Sequence, residues 1–289
     1  MVSLPAVLIT GASTGIGECC ARRLALEGYY VYAGVRNPAD GERLRAHAPD
    51  RIRWILLDVT NADHIARVVE ELALALGGRG LAGLVNNAGL AQGGPLEYVS
   101  AGALREQFEV NVIGLHAVTV ALLPLVRQAR GRIVHIGSIS GRITSPFTGP
   151  YAASKHAVEA LADALRLELA PEGIHVSLIE PGQIRTRIWE KGLAAYASIG
   201  DRIPAEGLVR YGGRLTVLRW VLERALRHSA PPEAVADAVM HALTAAVPRS
   251  RYLVGADARL RLLLGRLLPD RAMDGLVLWA LARIERRLA

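Results

Sequence analysis

A short apolar run, Ala6 to Thr10, passes through Gly11-Ala-Ser-Thr-Gly15-Ile-Gly17 straight into a helix-period segment that closes at Gly28. The chain then repeats that alternation. Tyr29 to Gly34, Arg53 to Leu57, Leu81 to Asn86, Arg132 to Ser138 and Ile174 to Glu180 are short β-rich runs. Helix-period segments separate them, clearest in Asn61 to Leu76, where Ile65, Val68, Val69, Leu72 and Leu76 share a face. Strands alternating with helices pair in parallel, and each crossover turns right-handed. The expectation is an α/β fold: a three-layer, doubly wound parallel sheet of six strands with helices on both faces.

Beyond Gly182 the pattern loosens. Residues 188–230 carry Trp189, Leu193, Tyr196, Ile203, Tyr211, Leu215, Leu218 and Trp220 without strand logic. Pro231-Pro232 opens another helix to about Ala246, Arg251 to Gly255 reads as a last strand, and 258–289 as two helices broken at Pro269. With 289 residues, 51% hydrophobic and 21% charged, the chain is read as one large domain over 1–289. No apolar run nears the ~18 residues that cross a bilayer, so no spanning helix is expected. Met1 to Thr10 lacks the basic start of a signal peptide. Cys19 and Cys20 are neighbours, and neither CxxC nor HExxH occurs, so the reading is no disulfide, no metal and a cytoplasmic protein.

The net charge is +7, and residues 201–289 hold +6 of it. Only Lys155 and Lys191 are lysines, a bias that points to genome composition. With no interleaved aromatic platform, no nucleic-acid partner is expected. Arg214 to His228 sets Leu215, Leu218, Val221, Leu222 and Ala225 against Arg219, Arg224 and Arg227, and the tail is rich in leucine and arginine. Both patterns suit a solvated helix or a peripheral contact with an anionic membrane surface.

Two motifs carry chemistry. Gly11, Ser13, Thr14, Gly15, Ile16 and Gly17 stand between a strand and a helix, where glycines allow close approach and the helix start offers free N–H groups to a pyrophosphate. Tyr151 and Lys155, four residues apart on a helix, share a face. Acid–base work by a phenol near neutrality needs about 4 kcal/mol of phenolate stabilisation. An ammonium about 5 Å away supplies roughly 3 kcal/mol at an effective dielectric of about 20. Taken alone, the pair also fits an exposed helix face that shares a Tyr and a Lys by chance. His135, His116 and His156 read as packed or solvated histidines, and Cys19 and Cys20 as small helix residues against the sheet.

In order along the chain stand TGxxxGIG, Asp58-Val59, Asn86-Asn87-Ala88-Gly89, Asn111, Ser138, YxxxK, and Pro181-Gly182 with Thr186. The series resembles the short-chain dehydrogenase/reductase family over residues 4–190 and, more faintly, 231–255. The resemblance implies a Rossmann-like NAD(P)-binding fold and hydride transfer at a nicotinamide. It implies Tyr151 as general acid/base, Lys155 lowering its pKa and holding the nicotinamide ribose, Ser138 on the substrate oxygen, and Asn111 ordering a relay water. Asp58 would take the adenine amino group, with Val59 beside it. Asn86, Asn87, Ala88 and Gly89 would shape the floor under the ribose. Thr186 and the Ile184 backbone would fix the carboxamide, with Pro181 and Gly182 also among the cofactor-binding residues.

Strand two ends at Val35-Arg36, where an NAD-specific site of this kind carries an acid. A guanidinium pairs well with a 2′-phosphate, so NADP(H) is favoured and NAD(H) is the alternative. The resemblance is strongest to retinol and hydroxysteroid dehydrogenases. It makes 188–230 the substrate-covering segment, apolar enough for a hydrophobic alcohol or carbonyl compound, and 258–289 a helical C-terminal extension. Relatives form dimers or tetramers through helices near 98–130 and 151–170, and a homodimer or homotetramer is expected. The competing readings are a catalytically silent NAD(P)-binding regulator, which the intact Asn111, Ser138, Tyr151 and Lys155 argue against, and an NAD-preferring lipophilic alcohol dehydrogenase on a membrane surface.

Overall fold

Seven parallel strands form one sheet, β1 (Ala6–Ile9), β2 (Tyr30–Val35), β3 (Ile52–Leu56), β4 (Gly83–Asn86), β5 (Arg132–Ile136), β6 (His175–Pro181) and β7 (Arg251–Val254), in the order β3-β2-β1-β4-β5-β6-β7. The computed structural model describes residues 4–197, 201 and 203–288. Residues 198–200 and 202 of the expected substrate-covering segment, and Ala289 of the tail, lie outside the described residues. The strand order reverses between β1 and β4, and a ligand crevice opens at the carboxyl ends of strands at such a switch point.

Alternation along the strands builds a core on each face. Val7, Ile9, Val31, Ala33 and Val85 meet Cys20, Ala21 and Leu24 of α1 (Gly15–Leu26) and Val235 and Val239 of α9 (Glu233–Thr244). Leu8, Tyr32, Leu84 and Ile133 turn the other way, onto Val68 and Leu72 of α3 (Ala62–Leu76) and Val118 and Leu122 of α5 (Leu115–Ala129). Each fully buried Leu, Ile or Val contributes about 1.5–3 kcal/mol. Asn61 caps α3 by accepting the His64 N–H (3.0 Å), and Gly77 ends it in the left-handed region at φ 53°. The short helix α2 (Pro38–Arg45) joins β2 to β3, and α6 (Gly149–Leu169) joins β5 to β6.

No spanning helix is expected from the sequence, yet one helix has the length and composition to span. α4 (Ala101–Phe108), a π-helical segment at Glu109–Gly114 and α5 run on as one helix, Ala101–Ala129, whose most apolar 18-residue stretch has a mean hydropathy of 1.7, enough by length and composition to cross a membrane. It lacks an unbroken apolar run because polar residues such as Asn111 and Thr119 stud it, and both are buried in this fold. α5 lies along the sheet, and core burial accounts for its apolar character.

The loosely patterned 188–230 forms two helices, α7 (Arg187–Ala197) and α8 (Ala205–His228). Ile203 and Leu215 are buried there among Tyr98, Tyr196, Tyr211 and Leu218. The tail forms α10 (Ala256–Leu267) and α11 (Asp270–Leu288), and none of the described residues of α11 is buried.

Candidate active site

The glycine-rich turn and the four chemical side chains all lie at the carboxyl ends of the strands. Gly11 (φ 62°) and Gly15 (φ 60°) take left-handed conformations that suit glycine. A Cβ on Gly11 would come within 2.8 Å of Ala88 Cα, and one on Gly15 within 3.1 Å of the Thr186 methyl. The turn is therefore pressed between the segments after β4 and after β6. Thr14 stands at the N-cap of α1 in extended conformation with no side-chain cap. The first backbone N–H of the helix to find a protein acceptor is that of Glu18, on Thr14 (3.5 Å). An uncapped helix start with open N–H groups at a switch point fits a pyrophosphate, so the residues present suit a dinucleotide.

Asn87, which follows β4, holds this turn. Its amide donates to the carbonyls of Thr10 (3.0 Å) and Gly11 (2.9 Å), while the Thr10 hydroxyl accepts the N–H groups of Asn87 and Ala88 (both 3.0 Å). Asn86 points the opposite way, because strand alternation aims it at α5. Its amide nitrogen donates to the Thr119 hydroxyl (2.8 Å) and lies 3.2 Å from His135 Nδ1. Only the Asn86 backbone, with Ala88 and Gly89, is left to face a ribose.

Ser138, Tyr151 and Lys155 converge. Ser138 follows β5 and its hydroxyl accepts the Ser140 N–H (3.1 Å). Tyr151 sits in the first turn of α6, with its phenol beside the Ser138 hydroxyl. Burial around Tyr151 holds its phenol above the ordinary value, and the nearby Ser138 hydroxyl opposes that shift. Lys155, one turn on, is 7% exposed and donates to the Ile136 carbonyl (2.7 Å). Burial pulls its ammonium down to about 8. His135 is a core histidine, depressed to about 4 by burial and then by Lys155. Asn111 lies in the π segment, and its side chain is committed to protein. The amide oxygen accepts the Leu90 N–H (2.9 Å), and the nitrogen donates to Leu90 O (3.0 Å) and Ser154 Oγ (3.1 Å).

At the far end of the crevice Arg36 is exposed just past β2. Burial would raise Asp58, but the Thr60 N–H (3.0 Å) and hydroxyl (2.8 Å), followed by the Arg36 charge, bring its carboxyl below the ordinary value. Val59 is buried against Gly114 of the π segment. After β6, Gly182 donates to Val254 O (2.8 Å), Ile184 pairs with Ala230 and accepts the Trp189 indole N–H (2.7 Å), and Thr186 closes over Gly15. A cavity of about 320 Å³, lined by Gln92, Gly94, Pro95, Tyr98, Ala103 and Ile203, adjoins the turn before Tyr151.

Residues 5–196 match the family model for short chain dehydrogenase. Retinol dehydrogenase 5 of Mus musculus is 38% identical over 292 residues, covering 97% of this chain and 91% of that protein. An NADPH-dependent 3-dehydrocapnine reductase of Ornithobacterium rhinotracheale is 35% identical over 272 residues, 92% and 94% of the two chains. A crystal structure of a short-chain dehydrogenase from Streptomyces avermitilis superposes with a TM-score of 0.77 at 29% identity, covering 99% of this chain and 98% of that one.

The chain belongs to the short-chain dehydrogenase family. It is therefore an oxidoreductase acting on CH–OH groups with a nicotinamide dinucleotide. In this short-chain dehydrogenase the sequence motifs fall together at one crevice, and three contributors were not singled out from sequence. Arg43 of α2 donates to the Ser13 carbonyl (2.5 Å) and pairs with Glu18 (3.1 Å), fixing the glycine turn from its outer side. Ser154 anchors Asn111, and Asp257 of α10 accepts the Gln183 N–H (2.9 Å). Ser154 carried a signal, since its position between Tyr151 and Lys155 places it on the same helix. Arg43 and Asp257 act on backbone groups and leave no spacing signature.

Proposed function

We propose that the protein interconverts a bulky hydrophobic alcohol and its ketone or aldehyde, using NADP(H). The reading rests on the convergence of Ser138, Tyr151 and Lys155 beside the open start of α1. In reduction the Tyr151 hydroxyl gives its proton to the carbonyl oxygen; in oxidation the phenolate takes it from the alcohol. Ser138 donates to the substrate oxygen as charge gathers there. Lys155 supplies the nearby positive charge that favours the phenolate, and Asn111 holds the π segment against Leu90 beside it. The bound cofactor supplies or accepts the hydride. The α1 N–H groups with Gly11, Ser13, Thr14, Gly15, Ile16 and Gly17 would hold its pyrophosphate, and Asp58 and Val59 its adenine. Ala88, Gly89 and the Asn86 backbone would hold its ribose, and Pro181, Gly182, Ile184 and Thr186 its carboxamide.

Arg36 supports NADP(H), because a guanidinium faces a 2′-phosphate where a carboxylate would repel it. The bacterial relative named as NADPH-dependent agrees with that choice. The cavity lining by Pro95, Tyr98, Ala103 and Ile203 supports a hydrophobic substrate, as does the mouse relative's name. The test is turnover of a panel of retinoid, steroid and long-chain alcohols and carbonyls with each of the four nicotinamide cofactors. Turnover of lipophilic members with NADP(H), lost in Tyr151→Phe while the cofactor still binds, is expected. A folded, cofactor-binding protein that turns over none of them overturns the proposal.

Two surfaces extend the reading. α10 exposes Leu260, Leu263 and Leu267 in one stripe flanked by Arg259 and Arg266, and α11 exposes Trp279 with the Arg283 guanidinium 5.3 Å from its ring. Apolar stripes edged by arginine support peripheral binding to anionic lipid, which co-sedimentation with phosphatidylserine vesicles, against phosphatidylcholine alone, would detect. Exposed Leu104, Ile113 and Val120 on Ala101–Ala129, and Leu167 on α6, support self-association through those helices. Sedimentation velocity of the purified chain tests it.

A further inference from the structure

α10 turns an inner face toward the crevice as well as an apolar face toward solvent. Asp257, Arg261 and Gly265 fall at intervals of four and share that inner face. Asp257 meets the segment after β6. Its carboxylate accepts the Gln183 N–H (2.9 Å), and it lies so close to Gly182 and Gly255 that neither has room for a Cβ. Gln183 leads directly into Ile184 and into Thr186, which sits over Gly15.

Arg261 meets the segment after β5. Its guanidinium is largely buried and donates to Ser145 Oγ (2.9 Å) and to Ile143 O (3.4 Å), while Gly265 abuts the Ile143 side chain. Ser145 is bonded three times to Thr148: its carbonyl accepts the threonine hydroxyl (2.7 Å) and N–H (3.2 Å), and its N–H donates to the threonine hydroxyl oxygen (3.3 Å). Thr148 is the N-cap residue of α6 and its carbonyl accepts the Ala152 N–H (2.8 Å), so this chain of bonds ends on the turn that carries Tyr151.

One helix thus reaches both catalytic segments, through side chains four residues apart. We infer that Asp257 and Arg261 are positioning residues, which set the Gln183–Thr186 segment and the Tyr151 turn at a fixed separation across the crevice. Asp257 acts on cofactor seating and Arg261 on alignment of the phenol. Each side chain does this through a part-buried polar contact, and displacement of a catalytic group by about 1 Å is enough to slow a coupled hydride and proton transfer. The inference rests on the activity proposed above.

The experiment compares Asp257→Ala, Asp257→Asn, Arg261→Ala and Arg261→Lys with the parent full-length chain. NADPH affinity is read by fluorescence titration, kcat and KM on a substrate the parent turns over, and thermal stability in parallel. Asp257→Ala should weaken NADPH about tenfold, with Asp257→Asn recovering most of the loss because its amide oxygen still accepts the Gln183 N–H. Arg261→Ala should lower kcat about tenfold with NADPH affinity held within about twofold, and Arg261→Lys should regain part of it. If Arg261→Ala does not fold, Arg261→Lys alone must show the kcat loss without the affinity loss. Unchanged affinity and kcat overturn the inference. So does a uniform decline that tracks the melting temperature, with no split between the two residues and no rescue. A parent that binds NADPH but turns over nothing overturns the proposed activity instead, and the Asp257 affinity series still decides that half of the inference.

Discussion

The Lys155 ammonium lies 5.8 Å from the centre of the Tyr151 ring. That neighbour is a charge stripped of water, and burial brings it down to about 8 from 10.5. The sign follows from linkage: a depressed folded value gives stability that is complete above the unfolded value and is lost as pH falls through about 8. At neutral pH the folded protein therefore carries a costly proton. Lys155→Met is expected to abolish turnover yet raise stability at pH near neutrality by roughly 1–3 kcal/mol, with the gain shrinking toward alkaline pH. Urea denaturation across that range checks it, and a Met variant less stable than its parent at neutral pH would refute it.

Arg36 is exposed and close enough to Asp58 to lower its carboxyl. Arg36→Ala should weaken NADPH by about one to two decades and leave NADH nearly unchanged, the loss of one charge-assisted contact. Arg36→Glu should invert the preference. Isothermal titration of both cofactors decides it; equal affinity of the parent for the two would make Arg36 a bystander.

Behind the site, Glu159 of α6 meets Glu180 and Arg251, and Arg251 also pairs with Asp163. One Glu159 oxygen is buried without a partner. Burial, then Glu180, raises its carboxyl to about 7. A raised folded value gives stability that is complete below the ordinary 4.5 and is lost as pH rises through about 7. His135, depressed from 6.5 to about 4, runs the other way: its contribution is complete above 6.5 and is lost as pH falls through about 4. The two slopes oppose each other in the mildly acidic range. Glu159→Gln should expose a stability that climbs with pH there, and His135→Gln one that declines. Melting temperatures over that range test both, and identical profiles for the two variants would contradict the assignment.

Phe147 occupies the left-handed region at φ 67°, in the turn closed by the Thr148 N–H on Ser145 O (3.2 Å), with Pro146 before it. Glycine is the usual residue at such a position, and a side chain there costs about 1–2 kcal/mol. The ring packs edge-on to Tyr211, centroids 6.2 Å apart. Both Phe147→Gly and Phe147→Ala lose the ring, but only glycine relieves the backbone. Phe147→Gly should be the more stable of the two by about 1 kcal/mol in chemical denaturation. Equal stability would remove the strain from the account.

The sheet was legible because parallel strands buried on both faces must be apolar throughout, as Ala6–Ile9 and Tyr30–Val35 are. The site was legible where chemistry demands residue types at fixed spacing: the glycines, Tyr151 with Lys155, and Ser138 at a strand end. Asn86 was read too simply, since alternation from Val85, which faces α1, already turns its side chain to the opposite face. α8 was obscured by its inner residues meeting different neighbours, Tyr98 on one side and α7 and α11 on others, which blurs a single stripe. Asp257 and Arg261 left no trace because their partners are a backbone N–H and a loop hydroxyl, 74 and 116 positions away.

Those separations have a consequence for synthesis. A ribosome delivers the glycine turn, Ser138, Tyr151 and Lys155 well before Asp257 and Arg261 emerge. The sheet through β6 has by then all its cofactor-facing segments, but Gln183 and Ser145 still lack the acceptor and the donor that α10 brings. On the positioning role inferred for α10, a nascent chain gains its scaffold residues early and its alignment contacts last, so a translational pause before α10 would hold the crevice without them.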